Sequence, residues 1–553
     1  MNYELELHTH FQEYSPTTTS IEELADIWNC STRYAKTIIN RLATNNVIEW
    51  EVFRGRGKKP KLTLLRSKNE AIYEVFDELW NQEKFDKAYE LLKEHHLLNH
   101  HLAEEWLLNR YGIQQLQTNK HIFRQPYSKV DVNFDPLYFL SRHDFHFAEQ
   151  IHETLFIFNE ESKKVETNML FAYETEDFQT WRFILRKDIL FHNHEPVKAS
   201  DIKRSLERAA IFTNEMFIYM EIIIINDYEL TITLNKPFSL FTNCLASYRT
   251  AILPKDHKQG TIGCGAFKFV SNTDEKLQLD VFSHYFKQRP WIDGIEILYT
   301  RNMSSFAVSS KPFDDTIPFT EMVFEENGAD YVSLNGKTGP LSNPALRETI
   351  YSLIKAEDYV MHEWREIEAN SWHYGEKLTE VHASTLIPPD QFPTLTIGVQ
   401  QIREGVNHER EALILQTAIA NYGIKSTIHI IDFKTTNEDI SQQFDLFVGG
   451  YAVGRDVILS LIGVYMSPQN TVLGMLTEQE QQLCLDLFEE IYSSDNHELM
   501  MNHLNQIETI LLKTYNLKFL THRTHWQYVR KDVNYKRIQF DSHGRIDYKG
   551  ISA

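Results

Sequence analysis

The segment 20–66 constrains this chain most, because its residue spacing predicts two short helices followed by two short strands. Ser20 and Glu23 form the capping-box pattern that marks a helix start, and this first helix is predicted over Ile21–Trp28. After a tight turn, a second helix is predicted over Thr32–Asn45. A helix, a tight turn and a second helix form the centre of many DNA-binding modules.

Two predicted strands, Val47–Arg54 and Lys61–Leu65, complete the segment. The residues that join them include two glycines and a proline, which are typical of a hairpin tip. The second helix has apolar residues at helical spacing, so one face is predicted to be buried: Ala35, Ile38, Ile39 and Leu42. The segment is therefore predicted to be an α+β winged helix-turn-helix.

The charge of this segment is opposite to that of the whole chain. Residues 31–66 contain nine lysines or arginines and two glutamates, which gives +7 in a chain of net charge -21. DNA should therefore be attracted here and repelled by most of the remaining chain. The predicted DNA-binding residues are Ser31, Thr32, Arg33, Lys36, Thr37, Asn40, Arg41, Arg54, Arg56, Lys58 and Lys59. The alternative is a small helical domain with an ordinary solvated charged face.

Length and composition limit the class of protein. A chain of 553 residues is too long for one core and predicts roughly two to four structural units. No apolar run approaches the roughly 18–20 residues needed to cross a bilayer, and the start lacks a signal-peptide pattern. The sequence therefore predicts a cytoplasmic protein with no membrane partner. Its four scattered cysteines are predicted to be free thiols.

The predicted organisation has three parts: a DNA-binding domain at 1–66, a helical connector at 67–116 and a larger part at 117–553. Three stretches of the connector show helical apolar spacing: Glu70–Leu79, Asp86–Leu92 and Leu97–Leu108. His96 and His100 lie four residues apart, but a zinc site needs three or four ligands and no cysteine is near. The sequence therefore predicts no metal and no cofactor.

The stretch from Glu23 to Leu65 resembles the N-terminal domain of SgrR-type transcriptional regulators. The shared features are the Leu-Ala pair, Asn-Cys-Ser at the turn with an arginine two residues on, Trp50 entering the wing and Gly-Arg-Gly-Lys at its tip. The resemblance implies a role in transcription and double-stranded DNA as a partner.

From Asp135 onward, the chain resembles the family 5 solute-binding proteins, which are the oligopeptide, dipeptide and nickel receptors of ABC importers. The motifs follow the family's order: Asp135-Pro136, Thr154-Leu155, Trp181, Phe183, Leu185-Arg186, Phe191-His192, Ala199-Ser200-Asp201, Gly263–Phe267, Tyr285-Phe286 and Asn343–Arg347. The resemblance implies a bilobed α/β domain of the periplasmic-binding-protein type (class II, oligopeptide-receptor type), with its second lobe at roughly 345–500. The chain departs from the family at His194, where glycine is usual, and it lacks the lipoprotein signal of such receptors.

Local patterns in this part give further expectations. Residues 130–136 are predicted to be a strand that leads into a turn, and Phe147–Phe158 is predicted to be a helix. Another helix is predicted to open at Ala199 and to have Ser200 as its N-cap.

The expected ligand site lies at Phe447–Asp456, a predicted buried strand that enters a glycine-bearing loop. In peptide receptors that resemble this chain, an aspartate near this point binds the peptide amine, and Asp456 is the candidate for that role. Arg455 beside it would suit an anionic group equally well, and the alternative is a surface ion pair. The weaker candidates are Tyr451, Tyr138 and Arg142. SgrR-type proteins are associated with sugar-phosphate stress, so the expected effector is a sugar phosphate, a peptide or a similar small molecule.

No catalytic motif of the G-x-S-x-G, P-loop or H-E-x-x-H type occurs, so no enzyme is predicted. The predicted function is a transcriptional regulator whose solute-binding-like domain senses a small molecule and modulates operator binding. The alternative is a solute- or peptide-binding module, without a role in transport, whose winged helix contacts a protein. A homodimer stays open because symmetric operators bind dimers, although no heptad repeat supplies an interface.

Overall fold

A computed structural model of the chain shows three successive parts: a small N-terminal unit, a helical connector and a large α/β part. The residues that it describes are 2–53, 55, 58–97, 110–116, 118–127, 129, 132–139, 142–212, 220–300, 308–309, 318–361, 365–375, 386–403, 406–431, 437–466, 471–531, 540 and 544–552.

The N-terminal unit combines three helices with a small antiparallel sheet of strand order β1-β3-β2. Its elements are α1 (Tyr3–His10), β1 (Thr17–Thr18), α2 (Ile21–Ile27), α3 (Thr32–Thr44), β2 (Ile48–Glu51) and β3 (Lys61–Leu64). Helix α2 starts with the predicted capping box of Ser20 and Glu23. This order of helices and strands is the one that the sequence predicts for this segment.

A single apolar cluster holds this unit together. Its buried members include Leu24, Trp28, Ala35, Ile38, Ile39, Leu42, Leu62 and Leu64. The inward face of α3 is therefore the one that helical spacing predicts, and the polar residues of the helix lie on the outer surface.

The described part of the connector contains α4 (Lys68–Asn81) and α5 (Phe85–Glu94). Ser67 caps α4 in a second capping box with Glu70. Buried aromatic residues of both helices share one apolar cluster with Leu298, which belongs to a strand of the large part. The connector therefore packs directly on that part. Most of the third predicted helix, Leu97–Leu108, lies outside the described residues.

In the residues that the structure describes, the first half of the large part contains two sheets, a hairpin and three α-helices. Its strands are β4 (Gly112–Gln115), β5 (His121–Tyr127), β6 (Phe156–Asn159), β7 (Lys164–Thr167), β8 (Leu170–Glu174), β9 (Thr180–Leu185), β10 (Met220–Asn226), β11 (Glu229–Leu234), β12 (Phe267–Asn272), β13 (Lys276–Val281) and β14 (Gly294–Tyr299). The sheet orders are β12-β13-β14-β5-β4 and β10-β11-β9-β8. The helices are α6 (Arg142–Ile151), α7 (Ala199–Phe212) and α8 (Phe241–Cys244).

The second half is built on a mixed sheet of order β20-β19-β22-β17-β23, with β21 also beside β19. Its strands are β15 (Val308–Ser309), β16 (Phe319–Glu325), β17 (Gly328–Leu334), β18 (Ile367–Glu368), β19 (Leu395–Arg403), β20 (Val406–Asn407), β21 (Ser426–Ile431), β22 (Leu446–Ala452), β23 (Leu517–Phe519), β24 (Thr521–His522) and β25 (Thr524–Arg530). The helices are α9 (Pro344–Leu353), α10 (Glu409–Asn421), α11 (Asn437–Gln443), α12 (Val457–Met466), α13 (Glu478–Tyr492) and α14 (His497–Lys513). The sheet begins at Gly328 and ends at Phe519, so this half extends beyond the expected 345–500.

At one end of this sheet, the ends of three strands lie side by side. β19 and β22 are parallel, whereas β17 runs antiparallel to β22. The carboxyl ends of β19 and β22 therefore lie beside the amino end of β17. In open α/β sheets, ligands bind at the carboxyl ends of parallel strands.

The two halves share one continuous apolar cluster. It includes Trp181 and Phe241 from the first half, and Trp372 and Tyr465 from the second. The indole Nε1 of Trp372 donates to the Tyr465 hydroxyl at 2.9 Å, so even the polar atoms of these rings are paired. The halves are therefore packed against each other.

Three local expectations are wrong. The helix predicted over Phe147–Phe158 ends at Ile151, because Phe156–Asn159 pairs with Lys164–Thr167 as a hairpin. Residues 132–136 form no strand. Ser200 lies inside its helix, because the Asp201 carboxylate accepts from the Lys198 backbone N–H at 2.9 Å and closes the helix start instead.

Candidate functional site

The outer face of α3 forms a polar and cationic surface. Ser31 is the N-cap of this helix, and its hydroxyl accepts from the Tyr34 backbone N–H. Beyond the cap, one group of exposed side chains follows the helix: Thr32, Arg33, Lys36, Thr37, Asn40 and Arg41. We call these six residues the α3 surface.

The members of the α3 surface differ in their contacts. The Arg41 guanidinium lies over the Tyr3 ring, 5.6 Å from its centroid, and the Thr37 hydroxyl donates to the Arg33 carbonyl. Among the described residues, Arg33 and Lys36 form no ion pair. These two cations are therefore available to a partner, because neither must leave a carboxylate first.

One of the predicted wing cations, Lys59, is held in an ion pair. Lys59 Nζ lies 2.8 Å from Glu23 Oε1, so this lysine joins the wing to the start of α2. Its hydrogen bond is the main reason that the pKa of Glu23 is lowered. Lys58 is exposed, whereas Arg54 and Arg56 lie outside the described residues. Lys58 is therefore the described wing cation best placed to meet DNA.

Arg66 links the N-terminal unit to the connector. Its Nε lies 3.3 Å from Glu4 Oε1 in α1, and its Nη1 lies 2.6 Å from Glu74 Oε2 in α4. Glu4 is buried, which raises its pKa, although Arg66 opposes this shift. One guanidinium therefore fixes the orientation of the two parts.

Arg455 and Asp456 hold the two halves of the large part together. Arg455 is paired with Glu160 at 2.9 Å and with Glu149 at 3.5 Å, both in the first half. The Asp456 carboxylate accepts from the Asn243 side chain at 2.7 Å and from the Leu459 backbone N–H at 3.1 Å. Burial raises the pKa of Asp456. Each of the two residues therefore contacts the other half, and their role toward a ligand stays a prediction.

The other three ligand candidates are separated. Tyr138 is 48% exposed and follows Pro136 in a short 3-10 helix. The backbone of Arg142 starts α6, but its side chain lies outside the described residues. Tyr451 lines a cavity in the second half. Of the five candidates, Tyr451 is the one seen to line the cavity described next, and the site role of all five stays a prediction.

That cavity, with a volume of about 190 Å³, lies where β17, β19 and β22 meet. We call it the strand-end cavity. Its polar and backbone lining includes Asp330, Gln400, His408, Gly450, Tyr451 and Arg523. The location matches the carboxyl ends of the parallel strands, where open α/β sheets bind ligands.

An ion pair forms one wall of the strand-end cavity. The Arg523 Nη2 donates to both Asp330 oxygens, at 2.8 and 2.9 Å. Asp330 is only 5% exposed, so the pair satisfies a carboxylate that would be costly to bury alone. Next to it, the Gln400 side-chain oxygen accepts from the Gly450 backbone N–H.

His408 is the second notable group of this wall. It is 2% exposed, and its Nδ1 lies 3.8 Å from both Asp330 Oδ1 and Glu411 Oε2. Burial lowers its pKa, although the two carboxylates oppose this shift. Its Nε2 is buried and has no hydrogen-bond partner in the part of the chain that the structure describes. A buried nitrogen of this kind is expected to have a partner.

Gly450 permits the close approach of these groups. A Cβ atom at this position would lie 2.2 Å from Asp330 Oδ1 and 3.0 Å from His408 Nε2. Any larger residue would therefore displace the carboxylate or fill the space beside the imidazole.

The sequence reasoning missed Asp330, Gln400, His408 and Arg523. These residues are far apart along the chain and belong to no common motif. One signal was present: the predicted strand at Phe447–Asp456 has Gly450 near its end, and strand ends of this kind collect ligand residues.

Two family models match separate regions of this chain. Residues 1–111 match the family model "Sugar transport-related sRNA regulator N-term" (SgrR_N). Residues 164–362 match the model "Bacterial extracellular solute-binding proteins, family 5 Middle". The chain therefore combines an N-terminal region that matches the SgrR_N model with a later region that matches the family 5 solute-binding model.

Curated relatives cover nearly the whole chain or three quarters of it. An uncharacterized protein of Bacillus subtilis, YhjP, is 26% identical over 96% of this chain and 95% of its own length. The HTH-type transcriptional regulator SgrR of Yersinia pseudotuberculosis is 23% identical over the same shares. The SgrR regulator of Salmonella typhi is 25% identical over 75% of this chain and 76% of its own. The families of the two matching models are of the regulator and solute-binding types.

Solved structures share the fold of the large part. NikA from Brucella suis, in complex with Fe(III)-EDTA, aligns with a TM-score of 0.63 at 15% identity, over 78% of this chain and 99% of its own. A dipeptide-binding protein from Pseudoalteromonas, in complex with Met-Leu, aligns with a TM-score of 0.62 at 13% identity, over 77% and 99%. Within the described residues, no helix is long and apolar enough to span a bilayer.

Proposed function

We propose that this protein is a transcriptional regulator that binds double-stranded DNA through the α3 surface. The observation that carries the proposal is the placement of Arg33 and Lys36 on the exposed face of α3, in a chain of net charge -21. A duplex would meet positive charge at this face and repulsion over the acidic surface elsewhere. The regulators among the relatives support the same role.

In this proposal, the N-terminal half of α3 enters the major groove, as the second helix of a helix-turn-helix does. Arg33, Lys36 and Asn40 reach base edges, since arginine and lysine pair with guanine and asparagine with adenine. Lys58 and the other cations of the wing contact phosphates, which position the protein without reading sequence. A protein with this role acts in the cytoplasm, where the chromosome is.

The large part is proposed to sense a small molecule and to modulate operator binding. A path of direct contacts connects the two functions: the halves share one core, Leu298 packs on the connector, and Arg66 joins the connector to α1. A ligand that alters the packing of the halves could therefore change how the winged helix is presented.

The test is fluorescence anisotropy of the full chain with labelled fragments from the DNA upstream of its own gene, and with random DNA as competitor. Replacing Arg33 and Lys36 with alanine should weaken binding to a specific fragment by about tenfold or more. Affinity for random DNA should fall less, because both side chains are assigned to base edges. The matched control replaces two exposed lysines of the large part, Lys425 and Lys513, and should leave affinity unchanged.

Two results would contradict the proposal. In the first, the wild-type chain would cause no rise in the anisotropy of any DNA even at low salt, as expected if the winged helix contacts a protein. Alternatively, the control variant would lose as much affinity as the α3 variant, which would place the DNA elsewhere.

A further inference from the structure

Two tyrosines lie beside the α3 surface, on the side of α3 that faces α1. Tyr3 is the first residue of α1, and Tyr34 lies in the first turn of α3. Their rings pack edge to face with centroids 6.3 Å apart, and Tyr34 is 47% exposed. The DNA-binding residues predicted from the sequence include neither tyrosine, because the contact between α1 and α3 is not visible in local spacing.

The core of the N-terminal unit holds Tyr3 in place. The indole Nε1 of Trp28 donates to the Tyr3 backbone carbonyl at 3.0 Å. The Trp28 ring also packs edge-on against the Tyr3 ring, with centroids 5.9 Å apart, and Trp28 is buried at the end of α2. Because one buried residue contacts both its backbone and its ring, Tyr3 is a fixed support on the surface of the unit.

Arg41 lies over the ring that Trp28 supports. Its guanidinium carbon is 5.6 Å from the centroid of the Tyr3 ring, which is the distance of a cation–π contact. Among the described residues, Arg41 forms no ion pair. An aromatic face attracts a cation without cancelling its charge, so the guanidinium keeps its charge for an anion. An arginine that is already held in place also loses less conformational freedom when it binds.

The position of Arg41 on α3 decides which part of a duplex it meets. At roughly 100° per residue, Arg33 and Asn40 share the central line of the α3 surface. Arg41 lies about 100° round the helix from Asn40, in line with Tyr34 and beside α1. When such a helix enters the major groove, its central line meets base edges and its flanks face the phosphate backbones. Arg41 therefore faces phosphate.

We propose that Arg41 binds a phosphate of the DNA backbone and that Tyr3 is the positioning residue that holds Arg41 for this contact. The guanidinium donates to phosphate oxygens in the bidentate geometry that arginine favours. Tyr34 packs against the same ring and keeps it upright. This inference rests on the proposed binding of DNA through the α3 surface, to which it adds a support from α1.

The test is a double-mutant cycle on DNA affinity, measured by anisotropy of the full chain with its specific fragment. Tyr3→Leu removes the aromatic face and should weaken binding by about two- to fivefold, the loss expected for one cation–π contact at an exposed site. Arg41→Ala should weaken binding by about tenfold and reduce the salt dependence by about one counterion. In the Arg41→Ala background, Tyr3→Leu should have no further effect, because Tyr3 acts through Arg41.

Three further variants separate positioning from folding. Tyr3→Phe keeps the ring and should restore most of the wild-type affinity. Tyr3→Met fills the space with an apolar side chain that has no aromatic face, and it repeats the cycle where Tyr3→Leu fails to fold. Tyr14→Leu is the matched control, since Tyr14 is a 61% exposed tyrosine of the same unit, and it should leave affinity unchanged.

Two outcomes would overturn the inference. Tyr3→Leu would cause the same loss with and without Arg41, which is the result expected if Tyr3 contributes only to folding. Alternatively, Tyr3→Phe would lose as much affinity as Tyr3→Leu, which would assign the effect to the hydroxyl and not to the ring.

Failure of this inference can be distinguished from failure of the proposed function. If the wild type binds no DNA, the proposed function fails and this inference fails with it. If the wild type binds DNA and the variant without Arg33 and Lys36 loses affinity, whereas Arg41→Ala does not, this inference alone fails.

Discussion

Arginines at two places in this molecule were predicted to recognise a partner, and the structure gives them opposite surroundings. On the α3 surface, Arg33 is exposed and, among the described residues, forms no ion pair. At the junction of the two halves, Arg455 is paired with Glu149 and Glu160. The same type of side chain is therefore available to DNA in one region and holds protein to protein in the other.

The difference teaches that a cation's role depends on the carboxylates that the fold brings to it. The α3 surface is cationic because its segment contains few acids, which is a local property of the sequence. At the junction, Arg455 is held in ion pairs because residues about three hundred positions apart in the sequence meet there.

The largest effect is expected from Arg455→Ala. Removing the guanidinium takes one counter-charge away from two carboxylates, and the free energy of unfolding should fall by about 2–3 kcal/mol, allowing for partial exposure. Urea unfolding monitored by tryptophan fluorescence measures this change. Arg33→Ala is the comparison and should cost less than about 0.5 kcal/mol, as surface substitutions usually do. Equal losses in the free energy of unfolding of the two variants would show that Arg455 stabilises the fold no more than Arg33 does.

The next effect concerns communication between the regions. Arg66→Ala breaks the contact between α1 and α4 without touching the α3 surface. Binding to specific DNA should persist, but the change in DNA affinity caused by a bound effector, typically about 1–3 kcal/mol in coupled systems, should be lost. Anisotropy with and without the effector measures the coupling. A full effector response in Arg66→Ala would show that the two parts communicate by another route.

A pH effect should appear in the interior of the large part. Burial lowers the pKa of His152 to about 4, and its ring bonds to the Phe134 carbonyl. The unfolded chain takes up this proton near pH 6.5, before the folded chain does. The contribution of His152 to the free energy of unfolding is therefore fully present above pH 6.5. It decreases as the pH falls toward 4, by up to about 1.4 kcal/mol per pH unit for one such group. His152→Gln should flatten this slope in urea titrations between pH 7 and 5, and an unchanged slope would contradict the assignment.

The smallest effect is expected for two neighbouring lysines of the wing, which should differ in how much they contribute to the salt dependence of DNA binding. Lys58→Ala should reduce the salt dependence of DNA binding by about one counterion. Lys59→Ala should reduce it less, because Lys59 is held by Glu23 at 2.8 Å. Affinity measured over a series of salt concentrations distinguishes the two. If Lys59→Ala has the larger effect, the ion pair with Glu23 must open when DNA binds.

Part of this picture could be predicted from the sequence because it depends on local spacing. Ala35, Ile38, Ile39 and Leu42 define the buried face of α3, and Ser20 and Glu23 define the start of α2, without information from the rest of the chain. The family motifs occur in their usual order, and this order allowed the fold of the large part to be predicted. Boundaries were less accurate where pairing decided them, as at Phe156, whose strand requires a partner strand after a turn.

The strand-end cavity could not be predicted in the same way. Asp330, His408 and Arg523 come from separate elements and meet only because β17, β19 and β22 end at one edge of the sheet. Arg455 and Asp456 looked like ligand residues because they follow a strand, yet the sequence contains no sign that Glu160 and Asn243 bind them. Long-range partners decide these roles.

Lysine acetylation footprinting of the full chain, with and without its specific DNA fragment, tests the central division of roles most directly. Mass spectrometry reports how quickly each exposed lysine is modified. The proposed role of the α3 surface predicts that DNA protects Lys36 and Lys58 at least about fivefold, as close contact with phosphate and base edges would, and leaves Lys425 and Lys513 unchanged. Protection of Lys425 and Lys513 with full modification of Lys36 would contradict it.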